Sequence, residues 1–327
     1  MKQISVEKGK EYMELIEGIC RLIHLSIPEL TAVLYDIKPV MADMINFEKF
    51  DQNFKNKLNQ ASQLCKKLGF KMAVSKYKFV INSPRGIFEM VEMSDKRKGK
   101  IAIGVSKNID KALEGVELYY KKMFDSKYGR RFGEVMGYPE CCLKFGDYLC
   151  NNNDDSDNFG FANPAVESLK RSKDFAWQLN VFTHSLLPHY PCTLTCQESI
   201  KYVNNLLSIF NKTNPGLFEM RKSYLKKPAS LYWTCADRIF LYGDLDGDFE
   251  NSEVKYHQTE PAITSSEFYQ ANDQKYLSGL MRIQKKIEQG NRIIMAKDYY
   301  EVYKDKRRLA RVKKDDQYMP ILVKPNR

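Results

Sequence analysis

No stretch of this 327-residue chain approaches the roughly 18 consecutive apolar residues needed to span a bilayer, so a membrane-embedded helix is excluded. The first residues, Met1 to Lys8, are charged and lack the apolar core of a secretory signal. Together these absences predict a cytoplasmic protein without a membrane partner. No Gly-x-x-x-x-Gly-Lys-Ser/Thr loop, Gly-x-Gly-x-x-Gly turn or Gly-x-Ser-x-Gly elbow occurs, which removes support for nucleotide-loop and serine-hydrolase chemistry. The Cys-x-x-x-Cys-x-x-Cys of radical enzymes is absent, and so are paired Cys-x-x-Cys ribbons and a thioredoxin-type dithiol.

Cysteine itself is present, eight times. Thiols stay reduced in the cytoplasm, so these residues read as ligands, redox groups or small buried side chains before structural disulfides. Four of them form two tight pairs, each behind a proline: Tyr138-Pro139-Glu140-Cys141-Cys142 and His189-Tyr190-Pro191-Cys192-Thr193-Leu194-Thr195-Cys196. Proline favours the first helical position, where its missing N–H would be unpaired anyway. The unpaired N–H groups and positive dipole end of a helix start favour thiolate over thiol. Two such ends brought together make a four-sulfur nest suited to an iron–sulfur cluster or, alternatively, zinc.

The spacing carries further expectations. Cys192 and Cys196, four apart, share one face if they lie in a helix. Consecutive residues diverge by roughly 100° on a helix, so Cys141 and Cys142 do not easily chelate one ion together, and the sequence does not decide between them. His184 and His189 stand upstream as nitrogen ligands or acid/base groups. Glu198 and Ser199 follow the second pair, and Cys150 is a spare thiol. Glu140 and Asp147 flank the first pair, and Arg130 and Arg131 precede it; surface ion pairing is the plain reading of all four. Cys20 and Cys65 sit in helical stretches as buried small side chains. His24 reads as a core or rim histidine. His257 has no carboxylate motif around it. Asp244 to Glu250 resembles a calcium loop, yet its sixth position is Phe249 where glycine is required, so it reads as turn chemistry.

Periodicity gives an α+β protein. Residues 1–70 read as a helical section, with Met13, Ile16, Ile19, Cys20 and Ile23 on one stripe. Residues 71–257 read as a mixed α/β layer carrying the cysteines, with strands over Lys71–Ile81, Gly86–Met93 and Lys100–Val105 and a helix to about Phe124. Asn151 to Asn163 reads as an exposed loop. Leu231–Tyr242 and Phe249–Tyr256 read as strands. Residues 258–327 read as a helix over Tyr276–Gln289, a strand at Arg292–Ala296 and a basic tail, with His257–Ser265 as the boundary.

The net charge of +11 is concentrated at the C-terminal end. Arg307, Arg308, Arg311, Lys313 and Lys314, interleaved with Tyr299, Tyr300, Tyr303 and Tyr318, suit contact with RNA, beside the plainer reading of a solvated surface.

The pair Gly137-Tyr138-Pro139-Glu140-Cys141-Cys142 and Pro191-Cys192-x-x-x-Cys196-x-x-Ser199 resembles an uncharacterised prokaryotic family, the domain of unknown function numbered 483. The likeness spans roughly residues 100 to 260 and brings no activity with it. The residues themselves point to an iron–sulfur or iron-dependent enzyme. It would perform redox or sulfur-transfer chemistry on a small molecule or modified nucleoside. Cys141, Cys142, Cys192 and Cys196 would bind the metal, and Cys141, His189 and Glu140 would stand at the chemistry. The alternative is an RNA-binding or interaction module with a structural zinc; a dithiol oxidoreductase is a third.

Overall fold

A computed structural model of the chain describes residues 4–47, 50–81, 88–125, 127–152, 162–172, 174–183, 185–227, 230–232, 237–247, 252–263, 274–314 and 321–323. The architecture is α+β, with two antiparallel sheets. The chain divides into two compact units. One comprises residues 1–156, 186–192 and 196–222; the other comprises 157–185, 193–195 and 223–327. No helix among the described residues is long and apolar enough to cross a membrane.

The first unit opens with helices α1 (Val6–Ile23) and α2 (Ile27–Leu34). The Ser5 and Ser26 hydroxyls accept from the N–H groups of Lys8 and Glu29, occupying donors a helix start leaves unpaired. Met13, Ile16, Ile19 and Ile23 form the buried stripe of α1. Cys20 is half-buried and Cys65, in α3 (Gln52–Lys67), is fully buried. Burial pushes both thiols up to about 12, so they stay protonated and inert. His24 is exposed at the left-handed C-cap of α1, so it belongs to the rim and not the core.

The helical section also contributes a strand. Pro39 ends the preceding turn, and β1 (Val40–Phe47) pairs antiparallel with β5 (Gly99–Ser106) along its full length. Val40, Met41 and Ala42 are consecutive and buried, so this short run is covered on both faces, which helical spacing does not reveal. Strands β2 (Lys71–Val74), β3 (Tyr77–Ile81) and β4 (Phe88–Glu92) complete the sheet, in the order β1-β5-β3-β4 with β2 also on β5. Helix α4 (Ile109–Phe124) lies on β5 so closely that a Cβ on Gly104 would stand 2.3 Å from the Ala112 carbonyl oxygen. Helices α5 (Tyr128–Met136) and α6 (Glu140–Asn152) follow, and α8 (Gln197–Thr213) returns to α1. Most of the loop expected over 151–163 lies outside the described residues; its ends are helical, in α6 and in α7 (Ala162–Lys170) of the second unit.

After α9 (Pro215–Leu225), the second unit builds a seven-stranded antiparallel sheet. Its strands are β6 (Ser230–Tyr232), β7 (Asp237–Gly247), β8 (Ser252–Ile263), β9 (Arg292–Met295), β10 (Tyr299–Lys304), β11 (Arg307–Lys313) and β12 (Ile321–Val323). The expected Leu231–Tyr242 strand is thus two strands, with residues 233–236 outside the described set. Asp244 to Gly247 end β7, and Asp248 to Glu250 are not described. Positions 257 and 258 lie within β8, so the chain passes there as continuous strand. The expected basic tail is largely a folded hairpin, β10–β11, paired from Tyr299–Lys313 to Lys304–Arg307 with a bulge at Leu309. Tyr318 lies outside the described residues. Helix α10 (Gln274–Gln289) covers one face, and Leu280 and Ile287 pack with Ile239, Val254, Ile293, Tyr300 and Val302.

Strands β11 and β12 are neighbours in the chain but stand at opposite edges of this sheet. Six strand spacings of about 4.8 Å make a flat sheet about 29 Å wide.

The close seat of α4 on β5 gives a direct test. Gly104→Ala should destabilise the protein by about 3 kcal/mol, because neither backbone can yield cheaply. Chemical denaturation reads the loss; a change below about 0.5 kcal/mol would show the helix free to shift.

Candidate metal centre

The first cysteine motif is a sequence of local geometric requirements. Gly137 ends α5 in the left-handed conformation (φ 75°), with a Cβ position only 2.6 Å from the Pro39 ring. Glycine alone meets both demands. The Tyr138 N–H then donates to the Gly133 carbonyl, closing the end of α5. The Pro139 carbonyl accepts from the N–H groups of Cys142 and Leu143, so proline sits one position before the first helical residue, Glu140. Cys141 and Cys142 fall in the first turn of α6.

The second motif departs from expectation. Residues 192–195 form turns, and the helix starts only at Gln197, with Cys196 as its N-cap. Cys192 and Cys196 therefore do not stack on a helical face. The loop folds back so that both sulfurs approach the start of α6, and the Cys192 N–H hydrogen-bonds to the Cys142 sulfur.

All four sulfurs meet. Cys141, Cys142, Cys192 and Cys196 place their Sγ atoms within 4.8 Å of one another, a group able to hold a metal ion. Cys141 Sγ is 3.9 Å from Cys142 Sγ and 3.6 Å from Cys196 Sγ, and Cys142 Sγ is 3.8 Å from Cys196 Sγ. The expected divergence of Cys141 and Cys142 does not keep them apart. Helical Cα–Cβ bonds tilt towards the N-terminus, and the site lies off that end of α6, where both side chains converge. Cys142 and Cys196 are buried, Cys192 is half-buried and Cys141 is exposed. Cys150 is outside the group.

The thiols share charge unequally. Cys196 is drawn down to about 4, first by the Cys142 thiol donating to it and then by the Ser199 hydroxyl and N–H. Cys142 is pushed well above the ordinary thiol range by that same bond to Cys196 and by burial. Cys192 is pushed up to about 12, by burial and then by the negative Cys196. Burial and mutual repulsion oppose ionising Cys142 and Cys192 beside Cys196, and a cation at the centre would relieve that opposition.

A polar shell surrounds the sulfurs. Ser199, fully buried in the first turn of α8, places its hydroxyl 3.5 Å from Cys142 Sγ and 3.1 Å from His189 Nε2. His189 is held neutral, its pKa lowered to about 3 by burial and then by the Lys38 charge. Its Nδ1 is buried without a hydrogen-bond partner. If Nε2–H donates to Ser199, the hydroxyl proton is left for sulfur. The Tyr138 ring packs on His189 with centroids 4.8 Å apart, and its hydroxyl donates to the Pro188 carbonyl, tying the two motifs together. Lys38, 3% exposed, pairs with Glu29 at 2.6 Å.

Other expected residues lie further out. Glu140 and Asp147 both pair with Arg130, and Arg131 pairs with Glu114 and Glu134, the surface ion-pair reading. His184 lies outside the described residues. His257 lies on β8, in the second unit. Sequence reasoning missed Tyr138 and Lys38 as part of the shell. The tyrosine stood inside the motif and was the available signal; nothing local marks the lysine. Compared with protein-family models, curated proteins and solved structures, the chain finds no match.

Outer groups that orient thiolates typically contribute 10- to 100-fold to metal affinity. Ser199→Ala should therefore weaken metal binding about 10-fold or more in competition with a chromogenic chelator. Cys142→Ala and Cys196→Ala should each abolish stoichiometric binding, while Cys150→Ala retains it. Equal metal retention in all four variants would contradict the assignment.

Proposed function

We propose that the protein is a metalloprotein whose four-cysteine group takes one tetrahedrally coordinated ion, zinc in the first instance, and that this ion fastens α6 to the start of α8. The sulfur spacing carries this reading. With metal–sulfur bonds of about 2.3 Å, tetrahedral geometry sets sulfurs about 3.8 Å apart, against separations of 3.6, 3.8 and 3.9 Å. An iron–sulfur cluster interposes several irons and sulfides and holds its cysteines farther apart. Four protein thiolates also leave no open coordination position, the arrangement of a structural centre. The reading favours the interaction-module class over catalysis at the metal. A reducing, cytoplasmic setting belongs to the same proposal, as does membership of the domain-of-unknown-function 483 family, which rests on the two motifs.

A second reading has its own support. Cys141 is exposed, and a hydrogen-bonded path runs from Cys142 through Ser199 to His189. An iron–sulfur or iron-dependent enzyme performing redox or sulfur-transfer chemistry on a small molecule or modified nucleoside would use an accessible sulfur at Cys141. His189 would handle the proton in that case. Glu140, engaged by Arg130, fits that role less well.

Anaerobic purification followed by metal and acid-labile sulfide analysis separates the two. The proposal expects a colourless protein with one zinc per chain and no sulfide. A brown protein with stoichiometric iron and sulfide would overturn it in favour of the enzyme.

A further inference from the structure

The second unit carries a basic surface and a cavity that the metal centre does not use. Residues 299–314 hold seven lysines and arginines against Glu301 and Asp305. The hairpin they form lies at one edge of the sheet. Lys304, Lys306, Arg307, Arg308, Arg311 and Lys313 are exposed. The Arg311 guanidinium stands 3.8 Å from the Tyr299 ring centre and that of Arg292 stands 4.6 Å from Tyr303. Cross-strand register continues the surface inward, from Arg308 to Tyr303 to Arg292 to Lys255. Flat guanidinium–aromatic stacks in a cationic surface are platforms for unpaired bases.

This row ends in a cavity of about 840 Å³, whose lining combines Lys226, Lys255, His257 and Arg292 with the carboxylates of Asp244 and Asp305. Its wall is built by a bulge. Tyr242 pairs with Gln258 and Gly243 with Tyr256, which leaves His257 as the extra, exposed residue on β8. A Cβ on Gly243 would stand 1.8 Å from the Lys255 carbonyl oxygen, so only glycine permits this close crossing. The Nε of Arg292 is buried there with no hydrogen-bond partner.

We infer that this face binds single-stranded nucleic acid: phosphates lie along the β10–β11 cations, and one nucleotide enters the cavity beside His257 and Arg292. Charge selects the polyanion, and the cavity and stacked rings select unpaired nucleotides over a duplex. The inference is independent of which ion the cysteines hold.

Fluorescence anisotropy of the full-length protein with a labelled 12-nucleotide uridine–adenosine RNA tests it across a salt series. Affinity should fall with salt at about −0.7 log units per phosphate contact. The triple variant Lys306→Glu, Arg307→Glu and Lys313→Glu changes exposed side chains only. It should bind at least 10-fold more weakly and show a slope shallower by about 2. His257→Ala with Lys255→Ala should weaken binding several-fold. Charge reversal at Lys55 and Lys66 on α3 should change neither affinity nor slope. Absence of binding at micromolar protein, an unchanged slope in the triple variant, equal affinity for a duplex, or binding of adenosine monophosphate with no binding of the oligonucleotide would each overturn the inference.

Discussion

Four sulfur atoms packed within 4.8 Å are electrostatically untenable as thiolates without a cation, and the first unit is arranged to bring them there. Two helix starts supply favourable dipole ends, but dipoles and a few N–H donors do not neutralise four negative charges. Burial and the shared hydrogen bonds favour the negative charge on Cys196 over Cys142 and Cys192. On the proposed reading a single soft ion resolves the repulsion, and its binding would be coupled to folding, because the two motifs are distant in the chain and meet only when α6 and α8 are in place.

The surrounding groups make sense as support for that arrangement. Gly137 permits the sharp exit from α5, and Pro139 leads directly into α6. Tyr138 spans from the first motif to the loop of the second through Pro188 and His189. Ser199 connects sulfur to imidazole. Each residue is small, rigid or held by two contacts where the geometry needs it, so the shell itself helps to fix the sulfurs.

Much of this was legible in the sequence. The proline-led cysteine pairs identified all four members of the group, and helical spacing identified α1, α4, α8 and α10 because each buries one regular stripe. Other features were not. β1 follows helices and its first residues, Val40 to Ala42, are buried on both faces, so they carry no alternation to read. The Cys192–Cys196 spacing fits a helix and a turn equally well, and only the start of α8 at Gln197 decides between them. The basic end read as a tail because Lys and Arg dominate its composition, yet Tyr300 and Val302 alternate inward from β10 and commit it to the sheet. Lys38 was beyond reach, since its partner Glu29 comes from another element.

X-ray absorption at the metal edge tests the central claim most directly. The account predicts four sulfur neighbours at about 2.3 Å and no metal–metal shell. A metal–metal shell, or oxygen and nitrogen in place of two or more sulfurs, would contradict it.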